Sequence, residues 1–147
     1  MKLNIIDSGG YRLQYEHSLE MICHLVDEEL GTLLGQVNLV FSDDETVHQL
    51  NREHRGKDKT TDVLTFTYYS GDKTGKDELL GEVILSIPQT RRQADQEECS
   101  FESELYKLCI HGLLHLRGYD HEENEDYRVM KLLEDKIMDR LQMSLKH

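Results

Sequence analysis

A chain of 147 residues, 37% hydrophobic and 31% charged, has the size of one domain and can bury a continuous core without cross-links. Its 17 basic residues stand against 29 acidic ones, a formal charge of −12, which excludes a nucleic-acid grip spread over the whole surface and leaves only a local one. No apolar run approaches the roughly 20 residues of a membrane span, the amino-terminal run is too short for a signal peptide, and Cys23, Cys99 and Cys109 are odd in number and match no motif spacing. A membrane partner is therefore not expected, and a reducing, cytoplasmic compartment is.

Leu3 to Ile6 is a short apolar run that predicts a strand, closed by a turn at Gly9 and Gly10. From Tyr11 to Leu30, residues Leu19, Ile22, Val26 and Leu30 recur at helical spacing, with Gly31 as the stop. Val37, Leu39 and Phe41 alternate with Asn38 and Val40 and predict a second strand; Ser42 or Asp43 then caps a short helix that runs to about Arg52. The next segment holds the densest positive cluster of an acidic chain, Arg52, Arg55, Lys57 and Lys59, diluted only by Glu53 and Asp58. On its own such a cluster is a solvated loop. Beside a hydrolytic metal it becomes a phosphate clamp, with the planar fork of Arg55 the best single choice.

Val63 to Tyr69 reads as a strand, Ser70 to Glu78 as a polar hairpin loop, and Leu79 to Ile87 as the returning strand. Pro88 fits the first turn of a helix reaching about Gln96, and Ser100 caps another from Phe101 to Arg117 that is apolar on nearly every face. A last helix runs from about Glu125 to Leu141. This order of elements predicts an α+β fold: a small mixed four-stranded sheet with helices mainly on one face, built around a zincin-like helix that carries a three-histidine metal site.

That site rests on the stretch from His111 to His121, where three of the chain's eight histidines fall within eleven residues. His111 and His115 are four apart, so on a helix they project from one face and converge on a single ion. His121 would be carried to the far side if the helix continued, at roughly 100° per residue. Gly118 resolves this by ending the helix in a left-handed conformation that lets Tyr119, Asp120 and His121 fold back. Three neutral imidazoles suit one zinc ion at about 2.0–2.1 Å each and keep a fourth position open for water. Nickel or cobalt would accept the same donors.

One such histidine would be a core residue bonded to a backbone carbonyl. A purely structural zinc normally takes four protein ligands, and neither a CxxC pair nor a fourth histidine stands nearby. The spacing is that of the metzincin proteases, but Gly112 occupies the position of their general-base glutamate. Peptide hydrolysis thus lacks its proton carrier, while metal–water chemistry survives, and Gly112 leaves room for a sugar or phosphate to approach.

The histidine stretch with its Gly-Tyr-Asp-His ending, together with Arg55-Gly-Lys-Asp, Thr61-Asp-Val-Leu-Thr-Phe and Gly81-Glu-Val-Ile, resembles the YbeY family of metal-dependent endoribonucleases. The resemblance covers most of the chain after residue 50; Glu82 stands where the family more often has Asp, and Thr67 where a proline is frequent. It implies a zinc-dependent, single-strand-specific endoribonuclease; the length sets a single domain over residues 1–147, and a monomer is expected. Its expected partners are single-stranded ribosomal RNA and the small ribosomal subunit or its proteins, in ribosomal RNA maturation and ribosome quality control. The family's metal ligands fall on His111, His115 and His121, and its functional arginine on Arg55.

Asp120 is placed to orient a ligand imidazole, and Lys57 and Asp62 stand near enough in sequence to Arg55 to meet substrate or the ligands. No general base is identified, and water and the RNA 2′-OH both stand as nucleophiles. Two other readings remain. In one, a different zinc hydrolase acts on peptides or small esters with Glu82 or Asp62 reaching the bound water. In the other, a non-enzymatic ribosome-assembly factor uses its metal only to brace the fold.

Overall fold

In the computed structural model, which describes residues 1–55, 63–71, 73–119 and 124–146 and only the backbone of residues 54 and 55, strands and helices follow the expected order. Strand β1 (Lys2–Asp7) and helix α1 (Glu16–Leu30) are followed by β2 (Gln36–Ser42), α2 (Asp44–Arg55), β3 (Val63–Thr67) and β4 (Leu79–Ser86). Three helices complete the chain: α3 (Ile87–Gln96), α4 (Phe101–Leu116) and α5 (Asn124–Leu145). The sheet order is β1-β2-β4-β3, with β1, β2 and β4 parallel and β3 antiparallel to β4. This is the mixed four-stranded α+β architecture the pattern predicts.

Alternation along the strands divides the sheet into two unequal faces. Val37, Leu39 and Phe41 of β2 and Val83 and Leu85 of β4 point to one side, all buried, and meet α1 and α4 in the main core. Helix α5 lies across α1 and α4, and α3 packs against α4, so four of the five helices stand on this side. Among the described residues the other face carries α2 alone, seated through Val47 on Leu64 and Ile84, with Val40, Leu50 and Phe66 around them. The amino end of α2 is tied to α3 by Asp44, which accepts hydrogen bonds from Ser86 Oγ at 2.6 Å and from Arg92 Nη2 at 2.6 Å.

Several boundaries differ from the expected ones for local reasons. Helix α1 starts at Glu16 rather than Tyr11 because the Asp7 carboxylate accepts the backbone N–H groups of Tyr11 at 2.9 Å and Arg12 at 2.7 Å. Arg12 is thereby held at φ +56°, outside helical space. Helix α2, capped by Asp43, which accepts the Thr46 N–H at 2.7 Å, continues to Arg55 instead of stopping near Arg52. Arg55 therefore ends a helix rather than lying within a loop. Strand β3 ends at Thr67, and α5 runs on to Leu145.

Helix α4 is held at both sides. From β3 and the residues after it, Thr65 Oγ1 donates to the carbonyl of Gly112 at 3.3 Å and Tyr69 Oη to that of Leu116 at 2.9 Å. From its own end, Arg117 donates to Asp27 Oδ1 at 2.9 Å and to the Gly31 carbonyl at 2.7 Å, joining the ends of α4 and α1. Gly112 is a point of close approach between helix and sheet. A Cβ there would stand 2.5 Å from Cγ1 of the buried Val83, so the space expected for a substrate is filled by β4. The missing side chain serves helix–sheet packing.

Substituting Gly112→Ala should destabilise the fold by a net of about 1–2 kcal/mol, because overpacking against a stiff β-branched side chain outweighs the roughly 1 kcal/mol gained in helix propensity. Chemical denaturation of the two proteins checks this. On the opposite face Tyr68 Oη donates to Glu82 Oε1 at 2.7 Å, and this bond, with partial burial, pushes the phenol up to about 12. A phenol whose folded-state pKa is raised contributes stability that is present below its ordinary value of about 10 and lost as pH rises through about 12. Titration of the Tyr68 ring by NMR should place its ionisation near that upper value, and Glu82→Gln should bring it back towards the ordinary one.

Candidate metal centre

Helix α4 starts where Ser100 Oγ accepts the Ser103 N–H at 3.1 Å, and it buries Leu105, Leu108, Cys109, Leu113 and Leu114 among its neighbours. Cys109 is one of these packing residues, its thiol pushed up by complete burial, as the apolar pattern around it predicts. His111 and His115 occupy the strip of the helix that is only half-buried. Their rings meet edge to face with centroids 4.5 Å apart, and their Nε2 atoms approach to 3.0 Å.

Two nitrogens bound at about 2.0–2.1 Å to one tetrahedral ion stand roughly 3.3 Å apart. The observed separation needs only a small opening to accept one. The other ring nitrogen of His111, Nδ1, lies 2.6 Å from Glu134 Oε1 of α5. The donor set and its convergence therefore fit a divalent ion of the zinc type.

The turn beyond α4 is built as the glycine predicts. Gly118 takes φ +97°, its N–H bonds the His115 carbonyl at 3.0 Å, and the Tyr119 N–H reaches back to Leu114 at 3.0 Å. These bonds satisfy the last carbonyls of the helix and reverse the chain at Tyr119. Asp120 and His121 come next and lie outside the described residues, as do Lys57 and Asp62. Arg55 is described as the final backbone position of α2. Among the described residues, then, the structure brings together His111 and His115.

Glu134 was not singled out by sequence reasoning, although a signal for it exists. Met130, Leu133, Ile137 and Leu141 mark the inward stripe of α5, and position 134, four beyond Met130, falls within that stripe. A carboxylate there needs a polar partner, and His111 is that partner. The pair borders a cavity of about 220 Å³ that is also lined by Lys107, Tyr127, Met130 and Lys131.

Glu82, a candidate base for a peptidase, does not share this side of the molecule. Its neighbours in β4, Gly81 and Val83, face α4, so Glu82 points to the opposite face, where Tyr68 holds it. Glu97, Cys99 and Glu104 also gather ligand atoms within 4.8 Å of one another. There a cation is already supplied by Lys107, whose Nζ lies 3.3 Å from Glu97 and 3.9 Å from Glu104. Desolvation and the nearby Glu104 charge raise the Cys99 thiol above its ordinary value.

The sequence matches the family described as Endoribonuclease YbeY over residues 4–142. A protein of that name from Sulfurihydrogenibium sp. is 41% identical over 130 residues, covering 86% of this chain and 84% of its own. Another from Desulforamulus reducens is 44% identical over 111 residues, covering 73% and 72%, and one from Bartonella henselae is 36% identical over 146 residues, covering 93% and 90%. The solution structure of a Thermotoga maritima protein superposes with a TM-score of 0.68 at 29% identity, covering 98% of this chain and 91% of the other. The half-buried histidine pair on a central helix, the α+β frame around it and these matched lengths lead to one assignment: the chain belongs to the YbeY family of endoribonucleases.

Proposed function

We propose that residues 1–147 form a single zinc-dependent domain, acting as a monomer in the cytoplasm, that cleaves single-stranded RNA during ribosomal RNA maturation and ribosome quality control. The observation that carries the metal-dependent part is the 3.0 Å approach of the His111 and His115 Nε2 atoms on a helix otherwise given over to the core. His111, His115 and His121 would hold the ion. A zinc ion so held supplies Lewis-acid polarisation of a phosphoryl oxygen and lowers the pKa of bound water to about 7.

The protein's own side chains have the remaining tasks. Arg55, the last residue of α2, is assigned to the non-bridging oxygens of the scissile phosphate, where a guanidinium would offset the charge that grows. Lys57, in the same basic segment, adds positive charge along the RNA backbone, which explains how a chain of net charge −12 holds a polyanion locally. Asp120 and Asp62 are assigned to hydrogen bonds that orient a ligand or the substrate. The family relationship supports RNA as substrate, and the small ribosomal subunit or its proteins would present it. The position of Glu82 on the far face removes one of the two alternative carboxylates, Glu82 or Asp62, that the other-hydrolase reading offered.

Purified, metal-quantified protein should cut single-stranded RNA and leave duplex RNA and peptides intact. His115→Ala and Arg55→Ala should each lower the cleavage rate by about 100-fold or more without unfolding the chain, and a strong chelator should abolish cleavage until zinc is restored. Intact RNA in the presence of one bound zinc per chain would instead favour a metal that braces an assembly factor.

A further inference from the structure

We infer that Glu134 is a positioning residue of the metal centre: it fixes the tautomer and the ring orientation of His111, so that Nε2 is the atom offered to the ion. The inference rests on the metal reading above and adds to it a residue from a different helix.

A carboxylate accepts hydrogen bonds, so the 2.6 Å contact between Glu134 Oε1 and His111 Nδ1 requires the ring to carry its proton on Nδ1. A neutral imidazole has one N–H, and placing it on Nδ1 leaves the Nε2 lone pair bare. That lone pair faces His115 Nε2 at 3.0 Å, the one direction in which two ligand nitrogens of this helix converge. Without the ion, His115 can fill the gap by donating its own Nε2–H to His111, and both rings are then already aimed. The centre is pre-organised before metal arrives.

Position matters as much as protonation. Glu134 is mostly buried, its side chain 15% exposed against 26% for His111, and it is held by a helix whose Met130, Ile137 and Leu141 are fully packed. The carboxylate thus cannot follow the ring, and the ring must conform to it. The adjoining cavity of about 220 Å³, with Lys107 and Lys131 in its wall, would otherwise admit water to Nδ1, and water serves either tautomer equally. A carboxylate behind a metal-bound imidazole raises ligand basicity, and loss of such a group typically costs 10–100-fold in metal affinity.

The test uses the full-length protein with zinc alone as the probe, in competition with a chromophoric chelator. Glu134→Gln should bind zinc about 10–100-fold more weakly than the unaltered protein while keeping the same helical circular dichroism and melting temperature without metal. Equal affinity for the two proteins would overturn the inference while leaving the metal reading intact. Binding of zinc by neither the unaltered protein nor His111→Ala, or by both alike, would remove the metal reading itself. A second measurement needs no variant: long-range nitrogen-15 spectra of the histidine rings should show His111 protonated at Nδ1 both with and without zinc. Protonation at Nε2 in either state would refute the assignment even if Glu134→Gln failed to fold.

Discussion

Everything in this molecule depends on the seating of α4 between a sheet and a second layer of helices. A helix enclosed on nearly all sides must be apolar nearly all round, and it approaches the sheet so closely at Gly112 that a methyl group would collide with Val83. That requirement leaves a half-buried strip for polar groups, where His111 and His115 stand at a four-residue spacing that lets two side chains of a helix meet. The hydrogen bonds from Thr65 and Tyr69 on one side and the Arg117 clamp to α1 on the other prevent the helix from turning about its axis. Rotation by a single residue would bury the imidazoles or aim them at solvent.

The elements were legible wherever a period and a boundary residue agreed. β2 alternates cleanly, α1 stops before Gly31, Ser100 caps α4, and Gly118 turns the chain. The pattern failed at the start of α1, where the tertiary demand of the Asp7 carboxylate on two backbone N–H groups overrode a helical period that continued upstream. It failed again at Arg55, because a helix end rich in charge carries no hydrophobic mark to distinguish it from a loop. Strand order was beyond reach: nothing in the local sequence of β4 states that it lies between β2 and β3.

The proposed centre was legible in its spacing and illegible in its support. Histidines four apart followed by a glycine can be read from one line of sequence, since the helix itself brings them together. Glu134 stands 23 positions beyond His111, and only the packing of α5 on α4 reveals which of many acidic residues in that helix points inward. Gly112 shows the same limit in reverse. Its place in a metal-helix motif suggested space for a ligand, whereas its contact is with the sheet.

The sheet order has a consequence for how firmly the different parts of this frame are held. β2 and β4 each share ladders with neighbouring strands on both sides, whereas among the described residues β3 shares a strand ladder with β4 alone and is otherwise tied to α4 through Thr65. A strand with a single ladder opens at lower free energy than one locked on both edges. The strand that carries Thr65 to the carbonyl of Gly112 is therefore the compliant wall of a helix whose floor, formed by β4, is rigid.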